Sequence, residues 1–316
     1  MILQIDNLHV KYGNVEALHG ISIDVREGEI VTILGANGAG KSTTLRMVMN
    51  IIARDSGTIA LLGADPVTER GVLRRVGYLP EERGLYKKMA VIDLIVFFAA
   101  LRGMPESDAR RQGVTWLEKM GLGQWQKAKV ETLSKGMQQK VQFITTVIHG
   151  PELLILDEPA SGLDPVNQEV LRDTILGARD QGRTVVFSTH NMDQAEQLCD
   201  SVCIIATGRK VLDGALKDIR RSYAGHHYRI EFESPGPAAE ALIAGSPALA
   251  GAERVNDGWH VELPSDAAVR GALSALSSAE VRLSKFEHVR PSLHQIFVEK
   301  VGHAEIAARR PEVSRA

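Results

Sequence analysis

The sequence predicts an α/β fold, a mostly parallel sheet covered by helices, followed by a small α+β domain. Short β-branched runs alternate with helical patterns over the first 215 or so residues. A glycine-rich turn joins one of those runs directly to a helical pattern, and a second alternation of different order begins after Arg221. Such alternation is the sequence form of a sheet with helices on its faces.

Taken in order, strands are expected over residues 30–34, 76–79, 153–156 and 184–188. The run Leu-Leu-Ile-Leu at 153–156 is apolar at every position, as a strand buried on both faces requires. Helices over residues 91–102 and 106–120 sit within a helical insertion of about residues 82–150, with Gly103 and Pro105 breaking the chain between them. Helices over 166–181 and 192–199 follow the strands that precede them. After a loop-like join at 222–229 the pattern is strand 228–233, helix 237–244, strands 252–256 and 259–263, helix 266–276 and strand 281–287. This β-α-β-β-α-β order is the ferredoxin-like arrangement, and Asn256-Asp257-Gly258 reads as its hairpin turn. A last amphipathic helix at 292–301 would cover the small domain, and the tail from His303, rich in Ala, Arg, Pro and Ser, is expected to be mobile. The expected domains are residues 1–220 and 226–302, with a tail at 303–316.

A formal net charge of −2 over 316 residues argues against a dominant polyanion-binding surface, and no nucleic-acid partner is expected. Cys199 and Cys203 match neither a zinc spacing nor a disulfide framework; a reducing compartment fits. The N-terminus has Asp6 and no basic run ahead of an apolar core, so it does not read as a signal peptide. The apolar stretch 91–101 contains Asp93 and is about half the length of a membrane helix. A cytoplasmic location is expected, with any membrane role exerted through a partner.

The chemistry concentrates in residues 35–42, GANGAGKS, which follow the strand IVTIL and precede a helical pattern. This is the context of a phosphate-binding P-loop. Glycines allow successive N–H groups to converge on phosphate oxygens, and the helix start adds positive dipole. The cradle is Gly35, Asn37, Gly38, Ala39, Gly40, Lys41, Ser42 and Thr43, with Lys41 reaching the β- and γ-phosphates of ATP and the Ser42 hydroxyl ligating Mg²⁺. Asp157-Glu158 ends the Leu-Leu-Ile-Leu strand, and the carboxyl edge of a parallel sheet faces the ligand crevice. Asp157 is read as a Mg²⁺ group and Glu158 as the base that polarises the attacking water. A helix-start pair ahead of Pro159 is the other reading of the same acids.

With these residues in place, the first 215 or so positions resemble the ATP-binding subunit of an ATP-binding-cassette (ABC) transporter. LSKGMQQK at 133–140 resembles the signature motif. The resemblance implies a head-to-tail dimer of two copies in which Ser134, Lys135, Gly136 and Met137 cap the γ-phosphate held by the facing copy. Lys135 and Met137 depart from the family's LSGGQ, and Met137 cannot bond a ribose as an amide can. His190 resembles the switch histidine that helps orient the catalytic water, Asp164 lies in a segment resembling the D-loop, and Tyr12 resembles the aromatic that stacks on adenine. Glu81 stands where the family usually has glutamine, and its carboxylate would reach a metal-bound water.

YLPEERGLY at 78–86, the variant signature and PSLHQIFVEKVG at 291–302 together resemble the ATPase subunits of ABC-2-type exporters of sodium, antibiotics and multiple drugs. That implies a separately encoded permease seated against the insertion between Glu81 and Met120, with the chain peripheral at the cytoplasmic face of the membrane. Two other readings stay open on residues alone: a soluble cassette ATPase working on nucleic acid or in translation, and an importer subunit whose small domain is a sensor.

Overall fold

The computed structural model describes residues 1–82, 84–234, 236–255, 257–277, 281–289 and 291–309. From the N-terminus, β1 (Leu3–Tyr12) and β2 (Val15–Val25) form a long hairpin, and β3 (Ile30–Leu34) leads through the glycine-rich loop into α1 (Lys41–Val48). β4 (Ser56–Leu61) and β5 (Val76–Leu79) follow. The insertion comprises α2 (Val91–Leu101), α3 (Glu106–Lys119) and α4 (Lys135–Val147). The chain then alternates β6 (Leu153–Asp157), α5 (Pro165–Asp180), β7 (Thr184–Thr189), α6 (Met192–Leu198), β8 (Ser201–Ala206) and β9 (Arg209–Ala215).

Six strands join in the order β5-β6-β7-β3-β8-β9, parallel except for β9 at the edge. A smaller antiparallel sheet has the order β2-β1-β4. Every residue of β3, β6 and β7 is buried, which explains their apolar or small-residue texture up to Asp157 at the end of β6. Alternation within them feeds two cores. Ile30, Leu154, Leu156, Val185 and Phe187 pack with the helices of the insertion and with α5. Val31, Ile33, Leu153, Ile155 and Val186 pack with α1 and the antiparallel sheet. Because the strands run parallel, the loops that leave β3, β5, β6 and β7 emerge from one edge of the sheet.

The chain divides into two compact units, one of Met1–Leu216 with residues from Phe297 onward, the other Lys217–Ile296. In the second unit, α7 (Leu216–Tyr223) precedes β10 (His227–Phe232), α8 (Pro237–Gly245), β11 (Glu253–Val255), β12 (Gly258–Glu262), α9 (Asp266–Ser277) and β13 (Leu283–His288). Its sheet order β11-β12-β10-β13 is antiparallel throughout, the ferredoxin-like order. Ile230, Phe232, Trp259 and Val261 pack against Ala239 and Ile243 of α8 and Ala272 and Leu276 of α9. Val255 pairs with Gly258 across the hairpin; Asn256 of the expected turn lies outside the described residues.

The last helix, α10 (Leu293–Arg309), runs past the expected end at residue 301. The segment from His303 that composition assigned to a mobile tail is therefore helical as far as Arg309, and residues 310–316 lie outside the described ones. No described helix is long and apolar enough to cross a membrane.

Candidate active site

The loop after β3 is shaped by residues that no side chain could replace. Gly40 holds φ +107°, and a Cβ there would meet Leu18 Cδ2 at 2.6 Å. A Cβ on Gly35 would meet the Ile205 carbonyl oxygen at 2.3 Å. The loop is thereby delivered to the start of α1, whose first N–H groups have no partner within the helix. Lys41, 5% exposed, donates from Nζ to the carbonyl oxygens of Gly35 at 2.8 Å and Ala36 at 3.2 Å. Its ammonium also lies 3.4 Å from Glu158 Oε1.

The parallel register sets Asp157 of β6 opposite Ser188 of β7. The hydroxyls of Ser188 and Ser42 both donate to Asp157 Oδ1, at 2.5 and 2.9 Å. Oδ2 of the same carboxylate is buried and has no hydrogen-bond partner among the described residues. Burial, and after it the Asp157 charge, push the neighbouring Tyr78 hydroxyl up to about 12.

Glu158 turns away from the strand in the left-handed region, φ +47°, a conformation that costs a non-glycine residue about 1–3 kcal/mol. Its N–H is caught by Ser188, at 3.2 Å to the carbonyl oxygen and 3.1 Å to Oγ. The residue is 7% exposed, yet Oε1 lies 3.0 Å from Nδ1 of His190, whose side chain is more than half exposed. A buried carboxylate is thus held between an ammonium beneath it and an imidazole at the surface.

These groups open on a pocket of about 340 Å³ lined by Ala17, Asn37, Gly38, Ala39, Gly40, Lys41, Ser42, Thr43, Glu81 and Glu158. Of the residues expected from sequence, the cradle, Glu81 and Glu158 meet there. Gly35 contributes its carbonyl to Lys41, Asp157 reaches the cradle through Ser42, and His190 reaches it through Glu158. Ala17 and Ser188 were not expected.

The remaining expected residues lie outside the pocket lining. Tyr12 is half exposed at the end of β1. Ser134 caps α4, accepting the Met137 N–H at 3.3 Å, while Lys135 is exposed and Gly136 half-buried. The Met137 side chain packs onto the insertion's core. Asp164 caps α5, and the Asn167 N–H at 3.0 Å holds its carboxyl below the usual range.

A glycine cradle at a helix start, a buried lysine, and a strand-end carboxylate pair facing them define a P-loop nucleoside triphosphatase. Residues 18–161 match the ABC transporter family model, and residues 214–301 match that of the ATP-binding protein DrrA1-3-like, C-terminal domain. An uncharacterized ABC transporter ATP-binding protein, YhaQ of Bacillus subtilis (strain 168), is 39% identical over 95% of this chain and 99% of its own. The linearmycin resistance ATP-binding protein LnrL of the same organism is 30% identical over 95% of this chain and 98% of its own. A solved structure of the ATP binding subunit of an ABC transporter superposes with a TM-score of 0.66 at 31% identity, covering 71% of this chain and 93% of that one. The chain belongs to the ATP-binding proteins of ABC transporters, among those that carry this C-terminal domain. It binds and hydrolyses ATP.

Proposed function

We propose that two copies of this chain close head to tail on two MgATP molecules and thereby drive export through a separately encoded permease. One observation carries the reading: Lys41, Ser42 and Glu158 line a single pocket, with Asp157 bonded to Ser42 and His190 to Glu158 behind them, while Ser134 stands exposed at the start of α4 and outside that lining. A helix start bearing a free surface and an open phosphate cradle are complementary halves.

The donor set fits Mg²⁺. It consists of hydroxyl and carboxylate oxygens, and the buried Asp157 Oδ2 is without a partner among the described residues. Ser42, Asp157 and Glu81 would hold the ion, directly or through water, and bound there it would neutralise phosphate charge. Lys41 pairs with the β- and γ-phosphates, and the amides of Gly38 to Thr43 orient them. Tyr12 stacks on the adenine. Glu158 accepts the proton of the attacking water, an effect worth about 10²–10⁴ in rate, and His190 fixes that carboxylate's direction. From the facing copy, Ser134 with Lys135, Gly136 and Met137 closes over the γ-phosphate, and Asp164 lies at the seam.

The permease contact is supported by an exposed aromatic group on the insertion. Tyr86 and Phe97 meet edge to face at 5.6 Å, both with rings open to solvent. Leu101, exposed on the same helix as Phe97, extends this apolar surface. Such a patch marks an interaction site on a soluble domain. The chain would sit peripherally on the cytoplasmic face of the membrane. Export is supported by the C-terminal family and by the linearmycin resistance relative.

Light scattering of the full chain with and without MgATP tests the closure. A species of doubled mass with MgATP is expected; a monomer under both conditions, when turnover is blocked, would overturn it. Co-purification of a multi-spanning membrane protein from the native host tests the transport role, and recovery of nucleic acid in its place would count against it.

A further inference from the structure

The loop that carries Glu81 is held from behind. Gln142 lies on α4, 5% exposed, and its Nε2 donates to the backbone oxygens of Pro80 at 3.4 Å and Glu82 at 3.2 Å. These two carbonyls flank Glu81. With both drawn toward α4, the side chain between them is left facing the pocket, which Lys41 and Glu158 also line.

Neighbouring turns of the same helix grip the chain at the ends of β5 and β6. Thr146 Oγ1 donates to the Tyr78 carbonyl oxygen at 3.4 Å, and Gln139 Nε2 donates to that of Pro159 at 2.9 Å. Buried side-chain amides are costly to leave unpaired, so the residue that sits at 142 decides whether the loop is tied to α4. Ser134 heads this helix, about 12 Å from Gln142 along the axis at 1.5 Å per residue.

We propose that Gln142 is a positioning residue: it aims Glu81 into the nucleotide pocket and couples that loop to the helix led by Ser134, so that the two move together. The inference rests on the reading of Glu81 as a group that acts in the MgATP site. Gln142 itself touches no nucleotide and acts only through the loop.

A double-mutant cycle of Gln142→Met and Glu81→Ala in the full chain tests it. Methionine keeps length and bulk while removing both N–H donors. Gln142→Met is expected to lower kcat for MgATP by about three- to tenfold, the size of one lost hydrogen bond, and to leave KM nearly unchanged. In the Glu81→Ala background it is expected to change nothing further. Normal turnover in Gln142→Met, independent multiplication of the two effects, or a loss in Gln142→Met beside a silent Glu81→Ala would each overturn the proposal.

Gln142→Ala is run in the same cycle so that a folding failure of one variant does not decide the outcome. Hydrogen exchange supplies a reading that needs no turnover. Amides following Pro80 are expected to exchange faster in Gln142→Met while α4 stays protected, and unchanged exchange in that loop would remove the tether. An inactive wild-type chain would count against the ATPase reading, and the exchange result would still decide the tether.

Discussion

Glu158→Gln is expected to separate chemistry from binding in this site. The substitution keeps the side-chain shape and the backbone at φ +47°, and it replaces a carboxylate by an amide that cannot accept the proton of water. Lys41 loses the partner at 3.4 Å but keeps the Gly35 and Ala36 carbonyls at 2.8 and 3.2 Å. His190 keeps an acceptor if the amide oxygen turns toward it. The stability cost is therefore about 1.5–3 kcal/mol, the loss of one charge-assisted bond among several. The barrier is expected to rise by about 3–5 kcal/mol, a fall of roughly 10²–10⁴ in kcat. The effect on chemistry is thus the larger one, and the variant is expected to fold, bind ATP and accumulate as the closed pair. Phosphate release measures turnover, and light scattering in MgATP measures the pair. Turnover within a few-fold of wild type would refute the assignment of the base, as would ATP binding lost together with turnover.

Lys41→Ala is expected to weaken ATP binding by roughly 10–100-fold, the worth of a charge-assisted contact, measured by titration of a fluorescent analogue; equal affinity would remove Lys41 from the cradle. Ser134→Ala removes the cap on the Met137 N–H, costing about 1 kcal/mol, and in the Glu158→Gln background it is expected to abolish the MgATP-dependent pair. A pair that persists at undiminished yield would leave Ser134 a cap and nothing more. Gly40→Ala forces a Cβ to within 2.6 Å of Leu18 Cδ2 at φ +107° and is expected to lower the melting temperature and abolish nucleotide binding, both read in one thermal-shift series with ATP. His149 is pushed from its ordinary 6.5 down to about 4, by burial first and then by the Arg102 charge. The unfolded chain then binds the extra proton below 6.5, so stability present at neutral pH is lost as pH falls toward 4. The contribution is roughly 1–2 kcal/mol once solvent screening is allowed for. His149→Gln should flatten that part of a urea-denaturation pH series, and an unchanged slope would exclude His149 as its source.

The cradle, the carboxylate pair and His190 were legible because their chemistry restricts residue type at a strand end, whatever the sheet order. Ser188 was not. A serine near the end of an apolar strand carries no mark of its partner, and its bond to Asp157 exists because β6 and β7 are neighbours in register. Gln142 was hidden for the same reason, since its contacts lie 60 and 62 positions back along the chain. The pairing of β4 with β1 was equally out of reach, as it depends on a return across the sheet and on irregularities between Asp6 and His9. The helix beyond residue 301 was misread from composition. Ala304, Ala307 and Ala308 favour helix, and the Pro and Ser that suggested a loose tail come only at 311 and 314.

Ser188 gives the site an unusual economy of parts. It holds Asp157 with its hydroxyl, the Glu158 amide with both hydroxyl and carbonyl, and it stands two positions before His190, which follows the end of the same strand. The three groups that would handle metal, proton and water are therefore fastened to a single peg and cannot drift independently. If, as proposed, firing waits for a second copy to arrive, such a peg leaves the clock outside the chemistry. The rate would be set by the approach of the facing helix and the loop at Glu81, against a hammer already cocked.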